Sequence, residues 1–162
     1  MKELLEIYKQ GNELHHAYAI FGNQTKILVE LKVFIESCLN VSIQNNPDLL
    51  IQEFNVLKID EARNLTNRHL NQPINSARKI FIVTANFITR DAQNSLLKVL
   101  EEPQAQTTFF FILPKSIFLL GTLKSRLICL YPKIKADEIN QKVEKFIKGN
   151  IGKRLNICAD FI

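Results

Sequence analysis

The sequence predicts a doubly wound α/β fold, in which a mainly parallel sheet carries helices on both faces in an α/β/α arrangement. Short apolar runs rich in β-branched residues recur along the chain, and such runs are typical of strands buried on both faces. Between them lie segments whose apolar residues recur at intervals of three and four, as on one face of a helix. The two patterns alternate, and this alternation predicts a parallel sheet.

The apolar patterns also predict the order of the elements. Strands are predicted at residues 17–21, 48–52, 79–84, 107–113 and 127–131. Helices are predicted over residues 27–39, 59–70 and 92–100, with a short helical turn at 117–120. From residue 136 onward, apolar stripes and acid–base pairs four apart favour helices. We therefore predict an α/β core over residues 1–135 and a helical segment over residues 136–162.

Length and composition exclude several classes of protein. The 162 residues are about one domain's worth, and a hydrophobic fraction of 46% with 23% charged residues excludes a disordered or collagen-like chain. No apolar run approaches about 18 residues, so we expect no membrane span. Residues 1–6 lack the basic start and apolar run of a signal peptide, so we expect a cytoplasmic protein. The formal charge of +5 fits work near nucleic acid without establishing contact.

The cysteines and histidines predict no metal site. The three cysteines lie far apart without a Cys-x-x-Cys pair, and they are Cys38, Cys129 and Cys158. This spacing fits neither a zinc site nor a disulfide framework, so we expect buried thiols in a reducing compartment. His15 and His16 are adjacent, and we expect their side chains to diverge, with no third group nearby to complete a metal site.

The segment after the first predicted strand occupies the place of a phosphate-binding loop. A working loop has a glycine, four residues and then Gly-Lys-Ser/Thr, so that backbone N–H groups surround the phosphates. Here Lys26 follows Gly22 by four positions, with no second glycine and no hydroxyl after the lysine. We therefore predict that Gly22, Thr25 and Lys26 belong to a degenerate phosphate loop that does not bind nucleotide productively.

The third predicted strand lacks the carboxylates that phosphoryl transfer requires for magnesium and for the attacking water. The sequence reads Val83-Thr84-Ala85-Asn86 and has no acid before Asp91. This loss is independent of the altered loop. Together the two losses indicate a protein that keeps the fold of a nucleotide hydrolase but does not hydrolyse nucleotide itself.

Charged residues at two further places each leave two interpretations open. Glu101 and Glu102 end a predicted helix, where acids oppose the helix dipole by roughly 0.3 to 1 kcal/mol each. They are either a solvated helix end or carboxylates that face a basic partner. Ser125 and Arg126 precede the last predicted strand. Arg126 is either a plain surface residue or a group that stabilises charge on a nucleotide held by a neighbouring subunit.

Five short motifs, in order and at compatible spacing, give the chain a resemblance to a known family. They are His16-Ala17-Tyr18 with Phe21-Gly22, Pro47-Asp48-Leu49, the run from Ile59 to Leu65, Asn94 to Lys98 with Leu100 to Pro103, and Thr122 with Ser125-Arg126. Over most of residues 12–131 the chain resembles the delta-prime subunits of the bacterial DNA polymerase III clamp loader, which belong to the AAA+ superfamily. The fourth motif is shared with the gamma/tau motor subunits.

The resemblance implies a P-loop NTPase fold of AAA+ type followed by lid helices, of which residues 136–162 would supply only the start. It implies a stator-like subunit without intrinsic activity, which presents Arg126, beside Ser125, to a neighbour as an arginine finger. ATP and magnesium would bind to neighbouring subunits. The implied partners are motor subunits of the gamma/tau type, a delta-type subunit, the sliding clamp and, through the complex, primer–template DNA. The zinc module of the family is missing, because residues 39–46 are too few to hold it.

Two other functions stay open from the residues themselves. Lys26, at the start of a predicted helix, could attract phosphate, which would suit an active ATPase motor subunit with an unusual phosphate loop. The basic stripe formed by Lys142, Lys145 and Lys148 would suit a stand-alone DNA-binding module. The three consecutive phenylalanines at 109–111 are interpreted as a buried strand and not as a surface on which bases stack.

Overall fold

The structure, a computed structural model, describes residues 2–11, 13–69, 73–74, 76 and 78–132. Nearly all of them lie in one compact unit, Met1–Tyr131. The predicted helical segment at residues 136–162, with Cys158 and the basic stripe, lies outside the described residues, so the boundary at residue 135 stays a prediction. None of the described helices is both long enough and apolar enough to cross a membrane.

Helices and strands alternate along the chain as predicted. The helices are α1 (Lys2–Gly11), α2 (Gln24–Leu39), α3 (Ile59–His69), α4 (Arg90–Glu101) and α5 (Gly121–Lys124). The strands are β1 (Ala17–Phe21), β2 (Leu49–Leu57), β3 (Lys79–Ile88), β4 (Thr107–Leu113) and β5 (Ile128–Leu130). Within the described residues they form a sheet in the order β2-β3-β4-β1-β5, in which each neighbouring pair is parallel. The predicted parallel sheet is confirmed.

Helices cover both faces of the sheet, because alternate residues of each strand point to opposite faces. On one face Phe109 packs with apolar residues of α3 and α4, among them Leu65 and Leu96. On the other face Phe110 packs with apolar residues of α1 and α2. All seven residues of β4 are buried, so the interpretation of residues 109–111 as a buried strand is confirmed. The three-layer α/β/α architecture is confirmed as well.

β3 continues four residues beyond its predicted end at Thr84, so the loop expected there is part of a strand. The first half of β3 pairs with both β2 and β4, whereas the residues from Ala85 onward pair with β2 alone. Asn86 is exposed in this second half, and its Nδ2 donates to Asn55 Oδ1 of β2 at 3.0 Å. A strand with one open side accepts polar residues, which is why the apolar run ends before the strand does.

The predicted helical turn at residues 117–120 is wrong, and the helix α5 begins only at Gly121. Gln93 of α4 explains the shift, because its side chain binds backbone groups that a turn would use. Its Oε1 accepts the Leu120 N–H at 2.7 Å, and its Nε2 donates to the Phe118 carbonyl at 3.2 Å. The last strand is also shorter than the predicted span of 127–131.

The prediction that the His15 and His16 side chains diverge is wrong, since their ring centroids lie 3.9 Å apart. The His15 ring turns forward along the chain, where its Nδ1 accepts the Ala17 N–H at 3.2 Å, and this brings it alongside His16. Within the described residues, no group of three His, Cys, Asp or Glu side chains is placed to hold a metal ion. Cys38 and Cys129 are free thiols and are partly buried, not fully buried as predicted.

Candidate functional site at the carboxyl edge of the sheet

The residues predicted to form a site lie along the carboxyl edge of the sheet and around the end of α4. In a parallel sheet the segments that follow the strands meet at this edge, where ligands bind in open α/β folds. Here the edge is formed by the loop between β1 and α2, the end of β3 and the segment between β4 and α5. β1 lies next to β4, so the first loop and the segment after β4 are neighbours.

Gly22 extends β1 and does not open a ring of phosphate-binding amides. Its N–H donates to the Leu113 carbonyl at 2.9 Å, which continues the pairing of β1 with β4. Its φ of 157° is a value that residues with a side chain rarely adopt, and a Cβ at this position would lie 3.1 Å from Ile27 Cδ1. The turn into α2 therefore requires the glycine, and the glycine N–H is already bonded within the chain.

The start of α2 is capped by the chain itself. Asn23 is the N-cap residue, and its Oδ1 accepts the Lys26 N–H at 2.9 Å. The Asn23 carbonyl accepts the Ile27 N–H at 3.0 Å. A phosphate bound at this helix start would need the Lys26 N–H as a donor. It would therefore have to displace the Asn23 side chain, which already accepts that N–H. Thr25 and Lys26 are both exposed in the first turn of α2.

Gln24 fastens this loop to the edge of the sheet. Its Nε2 donates to the Ala85 carbonyl of β3 at 2.9 Å and to the Ile112 carbonyl of β4 at 3.2 Å. The side chain therefore spans the crevice between β3 and β4. The contacts join residues 61 and 88 positions apart in sequence, so no local sequence pattern indicates them. The loop is closed over the sheet edge by groups of its own chain.

The end of β3 carries no carboxylate. Residues 79–88 include no Asp or Glu, and Asp91 is exposed in the first turn of α4. Thr84 is buried, and its hydroxyl has no hydrogen-bond partner among the residues that the structure describes. Magnesium sites in phosphoryl-transfer enzymes rely on carboxylates, so this hydroxyl does not replace the missing acid.

Arg126 and Glu101, two of the predicted site residues, form an ion pair. Arg126 Nη2 lies 2.7 Å from Glu101 Oε1, and the two side chains are 34% and 49% exposed. Arg126 Nη1 donates to the Thr122 carbonyl at 2.7 Å. The guanidinium lies at the carboxyl end of α4, where a cation offsets both the helix dipole and the acid. Glu101 therefore faces a basic group of its own chain.

Ser125 supports the backbone from which Arg126 extends, whereas Glu102 stands apart. Ser125 Oγ donates to the Thr122 carbonyl at 2.9 Å and lies 3.4 Å from Arg126 Nη1. Glu102 is exposed, and its carboxylate has no partner in the described part of the chain. The structure thus brings Glu101, Ser125 and Arg126 together. Gly22, Thr25 and Lys26 lie elsewhere, at the turn into α2 and in the first turn of that helix.

Comparison with known proteins gives the family. A family model described as DNA polymerase III, delta subunit, matches residues 33–138, which is more than half of the chain. The DNA polymerase III subunit delta′ of Buchnera aphidicola subsp. Baizongia pistaciae is 34% identical over 128 residues, which cover 70% of this chain and 38% of that protein. The chain spans well under half the length of the curated relatives it matches.

Two solved structures share the fold. A DNA polymerase III gamma subunit-related protein of Thermotoga maritima has a TM-score of 0.67 at 23% identity, covering 97% of this chain and 54% of that one. The DNA clamp loader delta protein of Bacillus subtilis has a TM-score of 0.57 at 18% identity, covering 90% and 47%. At these identities the likeness shows the fold alone, which is the α/β fold of these two proteins. By the match over residues 33–138, the chain belongs to the DNA polymerase III delta-subunit family of clamp-loader proteins.

Proposed function

We propose that the chain is a stator-like clamp-loader subunit, which hydrolyses no nucleotide itself and lends Arg126 to a neighbouring motor subunit. The observation that carries this proposal is the closure of the first loop by its own chain. Gly22 bonds to Leu113, Asn23 caps Lys26, and Gln24 bridges two carbonyls of the sheet edge. These bonds occupy groups and space that a triphosphate and its magnesium would need.

The energetic cost of opening this loop supports the proposal. A phosphate in the loop would displace the Asn23 cap and both hydrogen bonds of Gln24. At about 1 kcal/mol net for each bond, the loss is about 3 kcal/mol, or a factor of roughly 100 in affinity. The missing acids of β3 would add a further loss, because magnesium would find no carboxylate there.

The environment of Arg126 suits a group that leaves one partner for another. Its pair with Glu101 is a third to a half exposed, and exposed ion pairs contribute about 0 to 1 kcal/mol. Releasing Glu101 therefore costs little compared with binding the charge of a triphosphate. The planar guanidinium also matches phosphate oxygens better than a lysine does. Until a neighbour arrives, Glu101 and the Thr122 carbonyl hold Arg126 in one orientation.

The proposal includes the setting of the subunit. ATP and magnesium bind to neighbouring motor subunits of the gamma/tau type, and a delta-type subunit completes the loader in the cytoplasm. Contacts with the sliding clamp and with primer–template DNA follow through the assembled complex. No zinc module takes part, because the eight residues at 39–46 are too few to form one and include no cysteine.

Replacement of Arg126 tests the proposal. The full chain is assembled with motor and delta-type subunits, and ATP turnover is measured with Arg126→Ala against unaltered chain. Loss of an arginine finger lowers the rate of ATP hydrolysis at the site that it completes by a factor of roughly 10³ to 10⁵. The total turnover of the complex should therefore fall by the fraction that this one site contributes. Arg63→Ala, which removes an exposed arginine of α3, is the matched control. Turnover that Arg126→Ala leaves at the control level would contradict the role of Arg126.

Calorimetric titration with ATP and magnesium tests the alternative of an active motor subunit. The proposal predicts no binding in the micromolar range by the unaltered chain. Micromolar binding that Lys26→Ala abolishes would overturn the stator role in favour of an ATPase with an unusual phosphate loop.

A further inference from the structure

The outer face of α2 carries apolar side chains where a surface helix would carry polar ones. Val29 and Val33 are 59% and 58% exposed. Among the exposed large apolar side chains of the described residues, they are the two that share a helix. Residues four apart are neighbours on one side of a helix, so the two valines form one patch. The other side of α2, with Leu31 and Ile35, is buried in the core.

Two charged residues flank the valines along the same face. Lys26 lies three residues before Val29, and Glu36 lies three residues after Val33. All four side chains are exposed. Spacings of three, four and three are those of the a and d positions of a heptad repeat, so the four residues form one seam along the helix. From the start of α2 to its end, this α2 seam is basic, apolar, apolar and acidic.

Both charges of the α2 seam are placed against the dipole of their own helix. Lys26 is in the first turn of α2 and Glu36 is in its last turn, whereas the first turn has no acid and the last turn has no base. Each charge therefore lies at the helix end that disfavours it. A second α2 that lies antiparallel would bring its own Glu36 and the negative end of its dipole beside Lys26. It would also bring its Lys26 beside Glu36.

We propose that the α2 seam binds the same seam of a second copy of this chain, with the two helices antiparallel about a two-fold axis. A contact of this symmetry requires a surface that is complementary to itself. The α2 seam has this property, because reversing its direction exchanges base with acid and leaves valine opposite valine. Lys26 of one copy lies opposite Glu36 of the other, and Val29 lies opposite Val33. The contact is independent of the proposed function, since it needs neither nucleotide nor another kind of subunit.

The size of α2 indicates a weak contact. The helix has 16 residues and is about 24 Å long, so two such helices bury less than the roughly 1,200 Å² of a stable complex. We expect a dissociation constant of about 0.1 mM, measured by sedimentation of the full chain over a range of concentrations. A chain that stays monomeric at about 1 mM would overturn the inference.

Charge reversals test the pairing of the two seams. Lys26→Glu and Glu36→Lys each place like charges opposite one another, twice by symmetry, and each should weaken self-association about thirtyfold. Each reversal also suits the dipole of α2, so neither variant should lose thermal stability. Mixed in equal amounts, the two variants should associate again, because one supplies both acids and the other both bases. Lys9→Glu and Glu6→Lys, at exposed positions of α1, change the net charge equally and should leave association unchanged.

Replacement of the valines tests the apolar centre of the contact. Val29→Thr and Val33→Thr keep the shape of the side chain but add a hydroxyl, and each should weaken self-association about tenfold. Self-association that these variants leave at the level of the α1 controls would overturn the inference.

The remaining outcomes separate a second copy from other occupants. Charge-reversed variants that still associate by themselves, or that fail to associate when mixed, would overturn the inference. Variants of the α2 seam that lose affinity for motor or delta-type subunits, with self-association unchanged, would overturn it in favour of another protein. None of these measurements depends on ATP turnover, so the inference and the role of Arg126 stand or fall separately.

Discussion

Two glutamine side chains fasten two neighbouring stretches of the sheet edge, with opposite results. Gln24 binds the loop after β1 to the carbonyls of β3 and β4, and the Gly22 and Lys26 N–H groups are bonded within the chain. Gln93 binds the segment after β4 to α4, and the Phe118 side chain beside these bonds stays 72% exposed. The same amide chemistry thus fixes a helix start to the sheet at one stretch and leaves an aromatic side chain exposed at the other. The difference lies in what each glutamine supports, a self-capped helix start for Gln24 and a segment with an exposed aromatic ring for Gln93.

Removal of Gln93 should produce the largest loss of stability. Gln93→Leu leaves the Leu120 N–H and the carbonyls of Ile88 and Phe118 without their partner, at a site that is almost fully buried. We expect a loss of about 3 kcal/mol in the free energy of unfolding, measured by urea denaturation. Gln10→Leu, at an exposed position of α1, is the matched control. A loss below about 1 kcal/mol would show that Gln93 does not hold the segment.

Removal of Gln24 should cost less, because this side chain is partly exposed and makes two hydrogen bonds. We expect Gln24→Ala to lower the free energy of unfolding by about 1 to 2 kcal/mol. The same variant should gain no affinity for ATP with magnesium, since β3 still lacks a carboxylate. Micromolar binding by this variant would mean that Gln24 alone keeps the loop shut, contrary to the importance assigned to the missing carboxylates of β3.

Lowering the pH should destabilise the core through His69, which belongs to neither of the two stretches. His69 is buried and its Nε2 accepts the Gln104 N–H at 2.9 Å. Burial, with a further contribution from nearby Lys79, lowers the pKa of His69 below its ordinary value of 6.5. The unfolded chain therefore binds a proton first as the pH falls below about 6.5, and stability declines until His69 is protonated in the folded state too. Denaturation curves at pH 7 and 5 should show a larger loss for the unaltered chain than for His69→Gln, which keeps an acceptor but does not titrate.

An equal decline in both proteins would assign the pH dependence to other groups. His16 is one such group, since burial and the neighbouring His15 lower its pKa as well. The replacement of His69 leaves that contribution in place, so the difference between the two proteins isolates His69.

The ion pair of Arg126 should give the smallest effect. Glu101→Gln is expected to lower the free energy of unfolding by about 0.5 kcal/mol, because both partners are partly exposed to water. Glu102→Gln removes an adjacent exposed acid without such a pair and serves as the control. A difference above about 2 kcal/mol between the two variants would contradict a pair that releases its arginine readily.

Elements buried on both faces were predictable from the sequence, and elements with an open side were not. β1 and β4 have the bounds that their apolar runs predict, because every residue of these central strands faces a helix layer. The second half of β3 does not pair with β4, so this half can contain the exposed Asn86. The apolar run therefore ends before the strand does, and the sequence predicts a strand that is too short. The wrong position of the turn at 117–120 has a different cause, because a distant side chain, that of Gln93, takes its backbone groups.

The composition of the candidate site was predictable, but its contacts were not. The missing glycine and the missing acids are visible in sequence because they concern residue types at fixed spacing. The pairing of Arg126 with Glu101 and the bridge from Gln24 to Ala85 join residues that are far apart along the chain. No periodic pattern records such contacts, since the crossovers of a parallel sheet decide which loops meet.

The strand order also bears on how the protein is made. β1 lies between β4 and β5, yet it ends at residue 21 and β4 begins only at residue 107. At about 5 to 20 residues per second, β1 leaves the ribosome roughly 4 to 17 seconds before either neighbour exists. During that interval an apolar strand with two unpaired edges is available to other nascent chains. Aggregation during synthesis, more than instability of the finished fold, is the hazard that this order of strands imposes.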